Sequence, residues 1–532
     1  MSSGPVSSDV HIPLFSRRTF LLILGALCVL RLVLNAIVPL MDPSEARYAL
    51  ICRIMSESGN FLEPKLVHEG VLMNFEGKPP LCFQAGAVAC RIFGVNLFAV
   101  RLPSFLFAAA LLAVMYCTLR RIRGEAVAQL AVLLTLSCAV FFFLYAGQCM
   151  TDMALAFCVC SAVFAYMLFD RESVRRNKKL ASIGFFAALG LGMIVKGPVA
   201  LVMAGLPILF FVLLGNRWRD LRNHAWILGF AVFFLIAAPW YVLMQRANPD
   251  FLEYFFVNEN FKRFLFKEYG DRFGEGREFF RGMAVVWFLF SNLPVVLLVL
   301  FPASSRDGRR KLADACRKKS LADDLPMLGF VAITLFWCLT SRVLIYYVLP
   351  TVPFFAAWLA DRMTGWGYAD RAGFRKTLRI ALPVVWCIGG MVFASLRVVG
   401  ESWSDRMPGE FYKKAAALVP DGQFYFYREV PYSAYFYLGD LDGRNDSAPH
   451  RVVRHPNEKR TSELSEAASL PYYLMTRKCD LRGHPLKNKR RLLLENGVWA
   501  LYAPFEENPD DGAGSNAPAG TAASADDAPA GK

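Results

Sequence analysis

The sequence predicts an α-helical polytopic membrane protein of about 11–13 transmembrane helices with a small C-terminal α/β domain on the extracytoplasmic side. Three observations carry that expectation. The 532-residue chain is 55% hydrophobic with a mean hydropathy of +0.35. Only 19% of it is charged, against about 25% in soluble domains. Its apolar residues gather into runs near the roughly 20 residues that cross a bilayer, and its short basic clusters fall in alternate loops.

The first run, Phe20 to Met41, follows Arg17-Arg18 and has no A-x-A cleavage pattern, so it reads as a retained helix. Spans are expected at 20–40, 98–119, 127–147, 153–170, 180–195, 198–215, 225–244, 282–302, 326–341, 343–361 and 378–398. The stretch 81–93 contains Arg91 and is too short to cross, so it reads as an interfacial or re-entrant helix.

With the N-terminus inside, the clusters Arg120-Arg121-Ile122-Arg123, Arg175 to Lys179, Arg217/Arg219/Arg222, Arg309 to Lys319 and Arg371/Arg375/Lys376 all lie inside. That is the positive-inside pattern. Counting 81–93 as a crossing would put Arg120–Arg123 outside. The same pattern accounts for the net charge of +15 without nucleic acid as a partner. The chain is thus expected in a bacterial cytoplasmic (inner) membrane, as a 1–398 transmembrane domain with outer loops 41–97 and 245–281.

From 399 the composition changes. A helix at 409–418, an aromatic strand at 424–427, a Tyr-rich helix near 432–438 and strands near 471–476 and 498–503 suggest an α/β domain over 399–506. The Gly/Ala/Asp/Ser/Pro tail 507–532 reads as disordered. The 13 cysteines show no metal-ligand spacing or disulfide framework. No repeat of 20–50 residues and no inverted pair of broken spans is visible.

Polar chemistry concentrates in the outer segments. Asp42-Pro43-Ser44-Glu45-Ala46-Arg47-Tyr48 opens a stretch whose apolar Ala49, Leu50, Ile54 and Met55 recur at helical spacing, as in a helix lying on the membrane. Asp42 and Glu45 suit either acid–base work or the N-terminus of that helix. Lys78 precedes Pro79-Pro80, whose fixed φ would hold a cation for phosphate; it also suits a snorkelling lysine. Asp152 is the acid in the turn after a nearly uncharged stretch, either an N-cap or a functional group. Lys196-Gly197-Pro198 and Arg342 are further boundary cations. The loop Asn248 to Phe264 interleaves aromatics with Asn, Glu and Arg, as suits either sugar and phosphate recognition or an aromatic belt. Arg31 and Asn35 inside the first span face the bundle interior if they obey the cost of charge in lipid.

Taken in order, Asp42–Ala49, Phe75–Pro80, Gly94–Ser104, Met150–Asp152, Lys196–Leu201, Pro239–Tyr241, Tyr254–Phe264 and Tyr347–Pro350 resemble the bacterial C-superfamily membrane glycosyltransferases, which include protein O-mannosyltransferases and the aminoarabinose transferase of lipid A. The resemblance runs from about residue 20 to 360. It implies inverting transfer of a sugar from a polyprenyl-phosphate donor to an extracytoplasmic lipid, glycan or protein acceptor. It places catalytic acids at Asp42 or Glu45 and at Asp152. It places donor-phosphate or substrate contacts at Arg47, Tyr48, Lys78, Lys196, Glu259, Arg263, Arg342 and Tyr347. Two departures stand out: the family's more usual Asp-Glu pair is Ser44-Glu45 here, and the aminoarabinose enzymes' lysine before Tyr-x-Leu-Pro is replaced by Val343 beside Arg342.

In such a reaction a carboxylate accepts the acceptor's proton and fixed cations stabilise the departing phosphate. Asp42, Glu45 and Asp152 also offer oxygen ligands for a divalent cation. The alternatives are a lipid-linked oligosaccharide ligase or polymerase, and a transporter or flippase of lipid-linked sugar, whose polar groups would lie mid-span.

Overall fold

The structure is a computed structural model. It describes residues 12–68, 71–266, 278–404, 406–420, 422–426, 430–439, 452–453, 472–480 and 490–504. The 507–532 tail and residues 267–277 of the second outer loop lie outside the described residues.

The chain is a multi-pass helical membrane protein. Among the described residues six helices are long and apolar enough to cross a membrane, and shorter apolar helices fill the gaps between them. In chain order the N-terminal part runs α1 (Arg17–Ile37), α2 (Ser44–Ser58), a hairpin of β1 (Lys65–His68) and β2 (Val71–Asn74), then α3 (Leu81–Phe93) and α4 (Leu97–Arg123). It continues through α5 (Glu125–Ser137), a π-helical turn (Val140–Tyr145), α6 (Asp152–Arg171), α7 (Arg175–Lys196), α8 (Val199–Gly215) and α9 (Trp226–Ala247). Helix ends carry the expected local chemistry. Ser16 accepts from the Thr19 N–H at the start of α1, Asn96 accepts from the Ala99 N–H at the start of α4, and Gly59 closes α2 at φ +73°. The core of the bundle is α6, from which both faces are buried.

Besides the 127–147 span, which ends as an α-helix at Ser137 and resumes as a π-helical turn, and the unexpected strands Val452–Val453 and Leu492–Glu495, four elements differ from the sequence expectation. The 282–302 run is not a straight span: Met283–Ser291 and Val295–Ala303 meet at 89°. Pro294, at the break, lacks an N–H, and a proline disfavours α geometry in the residue before it. The 343–361 run begins as a 3₁₀ turn (Ile345–Val348), and its helix is only Thr351–Gly365, after Pro350. The β1–β2 hairpin, registered Lys65↔Asn74 to His68↔Val71, was not expected at all.

The fourth difference is α2. It does not present one apolar face to lipid: nine of its residues are buried, including Glu45 and Arg47. α3 covers one side and the C-terminal segment the other. α3 itself is 13 residues, about 20 Å at 1.5 Å per residue, too short for the hydrocarbon core.

Beyond the long helix Ala372–Trp403, the described C-terminal residues form the helix Gly409–Leu418, the short helix Tyr432–Leu438 and a sheet. The sheet's strands are β3 (Phe424–Phe426), β4 (Val452–Val453), β5 (Tyr473–Arg477), β6 (Leu492–Glu495) and β7 (Trp499–Tyr502), in spatial order β4-β3-β5-β7-β6. β3 pairs in parallel with β4 and β5, and β7 pairs antiparallel with β5 and β6. Phe411, Tyr412, Phe426, Met475 and Trp499 fill its core. Tyr432, Tyr435 and Phe436 leave that core and pack with Leu50, Ile51 and Phe83 instead, which fastens the small domain onto α2 and α3.

Candidate active site

A cavity of about 110 Å³ opens where α7, the π-helical segment Glu253–Lys262 and the Ile345–Val348 turn converge. Lys78, Lys196, Arg263 and Arg342 line it with Glu259, Trp337 and Tyr347. Among the described residues that line it, four are cations and one is an acid, and Asp152 and Glu278 pair with Lys196 and Arg342 from behind the wall.

Each is set by its neighbours in the chain. The hairpin ends at Asn74, and Phe75, Glu76 and Gly77 carry the chain to Lys78. There the ammonium donates to the Gly77 carbonyl and to Glu259 Oε1, both at 2.7 Å. Arg263, one turn beyond Glu259, donates to the same oxygen. Burial pushes the Lys78 ammonium below the usual lysine range, and the Glu259 carboxylate opposes that shift.

Three polar ties hold the end of α9, which leads into the 253–262 segment, against the first outer loop. Trp240 Nε1 donates to Leu62 O at 2.9 Å, Asn248 Nδ2 to Glu63 Oε1 at 3.0 Å, and Asn74 Nδ2 to Asn248 Oδ1 at 3.0 Å.

Lys196 is the last residue of α7 and donates to Asp152, the first of α6. Its ammonium also sits 4.8 Å over the Tyr347 ring and 5.6 Å over that of Tyr346. Gly197 takes φ +81°, and a Cβ there would lie 2.6 Å from the Phe255 ring. A glycine is therefore what lets the π-helical segment approach Lys196. Asp152 is 1% exposed and within electrostatic reach of Lys78. Tyr347 is clasped by Trp337, with ring centroids 4.5 Å apart. Arg342 Nη2 lies 3.4 Å from Glu278.

The structure therefore brings Lys78, Lys196, Glu259, Arg263, Arg342 and Tyr347 together, with Asp152 behind Lys196. It seats the other four sequence candidates elsewhere. Asp42 accepts from the Ser433 N–H at 3.1 Å and from the Ser433 hydroxyl. Glu45 is buried in a knot with Arg101: Arg101 Nε and Nη2 donate to its two oxygens at 2.7 and 3.0 Å, and the N–H groups of Met41 and Cys149 add to it. Arg47 stacks 5.3 Å over the Tyr432 ring. Tyr48 packs on Phe75 and Phe83.

Sequence reasoning missed Ser433 and Arg101 as partners, and Trp337 as a cavity wall. Arg101 had a signal, an arginine inside an apolar helical run that must find an acid. Ser433 had none.

Asp42, Glu45 and Asp152 are engaged by three different partners and do not form one cation site. Among the described residues no group of three His, Cys, Asp or Glu side chains converges. Arg31 and Asn35 do face the interior, packed against Gly147, with Arg31 Nη2 donating to Leu144 O at 3.1 Å. They lie outside the cationic cavity.

Residues 77–242 match the family described as dolichyl-phosphate-mannose-protein mannosyltransferase. Among curated proteins, the chain is 27% identical over 385 residues to an undecaprenyl phosphate-α-4-amino-4-deoxy-L-arabinose arabinosyl transferase of Edwardsiella ictaluri, covering 70% of this chain and 64% of that protein. It is 31% identical over 255 residues to the protein of the same name from Pseudomonas aeruginosa, covering 47% of this chain and 44% of that one. The chain thus spans less than two thirds of the length of either relative. Among solved structures it superposes on ArnT from Cupriavidus metallidurans bound to undecaprenyl phosphate with a TM-score of 0.69 at 16% identity, over 92% of this chain and 98% of that one. The fold is shared.

Proposed function

We propose that this chain, which resembles the bacterial C-superfamily membrane glycosyltransferases and carries their fold, is an inverting glycosyltransferase that moves a sugar from a polyprenyl-phosphate donor to an extracytoplasmic acceptor. The observation that carries the reading is the cavity in which Lys78, Lys196, Arg263 and Arg342 converge around Glu259 and Tyr347. Four cations gathered around one cavity suit a phosphate that becomes more negative as its bond to the anomeric carbon breaks. The relatives named as undecaprenyl phosphate-α-4-amino-4-deoxy-L-arabinose arabinosyl transferases make an undecaprenyl-phosphate-linked pentose the first donor to test.

In this reading Lys78 and Arg263 hold the donor phosphate, and Glu259, which accepts from both through one oxygen, keeps the two cations side by side. Lys196 and Arg342 close the other side. Asp152, beside Lys196, takes the acceptor's proton as its oxygen attacks the anomeric carbon from the face opposite the phosphate. Asp42 and Glu45 hold the outer loop in place through Ser433 and Arg101. With the basic loops inside, this cavity and the small domain packed on α2 and α3 fall on the outer side of a bacterial inner membrane in this reading.

The decisive assay is purified protein in lipid nanodiscs, given polyprenyl-phosphate-linked 4-amino-4-deoxy-arabinose or mannose and total envelope lipid. Release of free polyprenyl phosphate with a new glycosylated product supports the reading. Movement of intact donor across the membrane without cleavage of its glycosidic bond would make the chain a flippase. Transfer only of preassembled oligosaccharide would make it a ligase.

A further inference from the structure

Two cysteines meet where the predicted acids are positioned. Cys52 lies in the middle of α2, Cys149 in the turn that leads to Asp152, and their sulfurs are 3.9 Å apart across 97 residues of chain. Both are buried thiols. The surrounding backbone favours this meeting. The Cys149 N–H donates to Glu45 Oε1 at 3.2 Å, which draws the turn onto the start of α2. On the other side, a Cβ at residue 86 would lie 2.4 Å from Cys52 Sγ, so Gly86 of α3 leaves the space the sulfur occupies. A disulfide needs about 2.05 Å between sulfurs; rotation of the two side chains has to close the remaining gap.

We propose that Cys52 and Cys149 form a disulfide that staples the Asp152 turn to α2. The proposal rests on the outer-side placement of these segments, because disulfides form and persist in extracytoplasmic compartments and not in the reducing cytosol. The step balances with a disulfide-bearing oxidant of the thiol-exchange class. The thiolate of one cysteine attacks the oxidant's disulfide, giving a mixed disulfide and releasing one thiol. The second cysteine's thiolate then attacks the protein sulfur and releases the other. Two protein thiols lose two protons and two electrons, and the oxidant leaves as a dithiol. Cys149 borders a small cavity with Tyr48, Phe83 and Ser104, whereas Cys52 is fully enclosed. Exchange therefore starts at Cys149 and finishes before α2 closes over Cys52.

The consequence falls on Asp152. Without the bond the turn is held by the Cys149–Glu45 contact and a 3.4 Å hydrogen bond from the Ser104 hydroxyl to Met150 O. With it, a covalent link lies three residues from the acid that the proposed mechanism uses.

The test reads thiol chemistry independently of sugar transfer. Cells are quenched with acid and a thiol-alkylating reagent, and the full-length protein is denatured and digested with trypsin without reductant. Cys52 then lies in the peptide Tyr48–Arg53, in which it is the sole cysteine. Recovery of that peptide bonded to Gly124–Arg171, with fragment ions placing the bond at Cys149 and not at Cys138, Cys158 or Cys160, supports the proposal. Recovery of it alkylated, or bonded to any cysteine other than Cys149, overturns it, whatever the donor assay shows. In the purified protein, reductant should lower the thermal midpoint by several degrees and the transfer rate severalfold. The Cys52→Ala/Cys149→Ala protein should show neither response. Equal sensitivity of that double variant to reductant also overturns the proposal.

Discussion

Ser433 donates both its backbone N–H and its hydroxyl to the carboxylate of Asp42, 391 residues earlier in the chain. An acid at the mouth of the first span is thus fixed by the first turn of a helix in the C-terminal domain. Arg53 of α2 returns the tie, donating to Phe436 O at 2.8 Å and Tyr435 O at 3.3 Å. The small domain and the first outer loop are one mechanical unit, and the predictions follow from which acids belong to that unit and which to the cavity.

Ser433→Ala removes the hydroxyl from a buried carboxylate. Hydrogen bonds to charged groups contribute about 1.5–3 kcal/mol, so the variant should melt several degrees lower while donor KM stays near wild type. A large loss of kcat at an unchanged melting temperature would return Asp42 to the catalytic role.

Glu45→Ala should fail differently. Arg101 is 3% exposed and gives two of its hydrogen bonds to Glu45, spending the others on the carbonyls of Asn35, Val38 and Pro39. Removing one member of a buried pair strands the other, at a cost of about 3–5 kcal/mol. The expected outcome is poor membrane accumulation, measured by quantitative immunoblot against wild type. A paired Glu45→Met/Arg101→Met protein should accumulate better than the single variant. Normal accumulation of Glu45→Ala would show that the knot is not structural.

Much of this architecture was legible in the sequence, and the division has a physical cause. Span positions follow from the length of an apolar run, a local property, so α1, α4, α6, α7 and α9 fall within a few residues of where the sequence puts them. The hairpin β1–β2 was not legible, because the Glu69-Gly70 between its strands is not one of the turn pairs that mark a two-residue hairpin. The pairing of Lys78 with Glu259 spans 181 residues and depends on how α9 and the first outer loop dock. No spacing within either motif encodes that. For the same reason Asp42 stood out as an acid at a boundary, while the group that occupies it could not be seen.

Orientation can be tested without activity. Reporter fusions within the basic 303–325 stretch should read as cytoplasmic, and fusions after the Gly409–Leu418 helix as extracytoplasmic, because the basic loops must stay inside. The same readout from both would contradict the placement of the cavity.

Asp152 and Lys196 should behave as a catalytic pair. Asp152→Asn preserves shape and an acceptor oxygen for Lys196 but removes the base, so kcat per accumulated protein should fall by about 10²–10⁴. Lys196→Met leaves Asp152 without its ammonium and should raise donor KM as well as lower kcat, since Lys196 also lines the cavity. If Asp152→Asn turned over at more than a tenth of the wild-type rate, the base would have to be sought elsewhere, first at Asp42.

Lys78 gives the pH signature. Burial lowers its pKa from the ordinary lysine value, with Glu259 resisting the shift, so the ammonium loses its proton at a lower pH than an exposed lysine, whose pKa is about 10.4. The sign is fixed by what the residue does: a phosphate ligand must be charged, so donor affinity falls as pH rises through that lowered pKa. Donor KM should therefore climb on the alkaline side while kcat for bound donor changes little. Lys78→Arg keeps its charge across the accessible range and should flatten that climb, at the cost of a weaker fit because a planar guanidinium replaces a compact ammonium. Lys78→Ala should raise donor KM about ten- to a hundredfold at neutral pH, since a charge-assisted contact contributes about 1.5–3 kcal/mol and each tenfold is about 1.4 kcal/mol. An alkaline climb in KM that survived unchanged in Lys78→Arg would assign the titration to another group and remove Lys78 from the phosphate site.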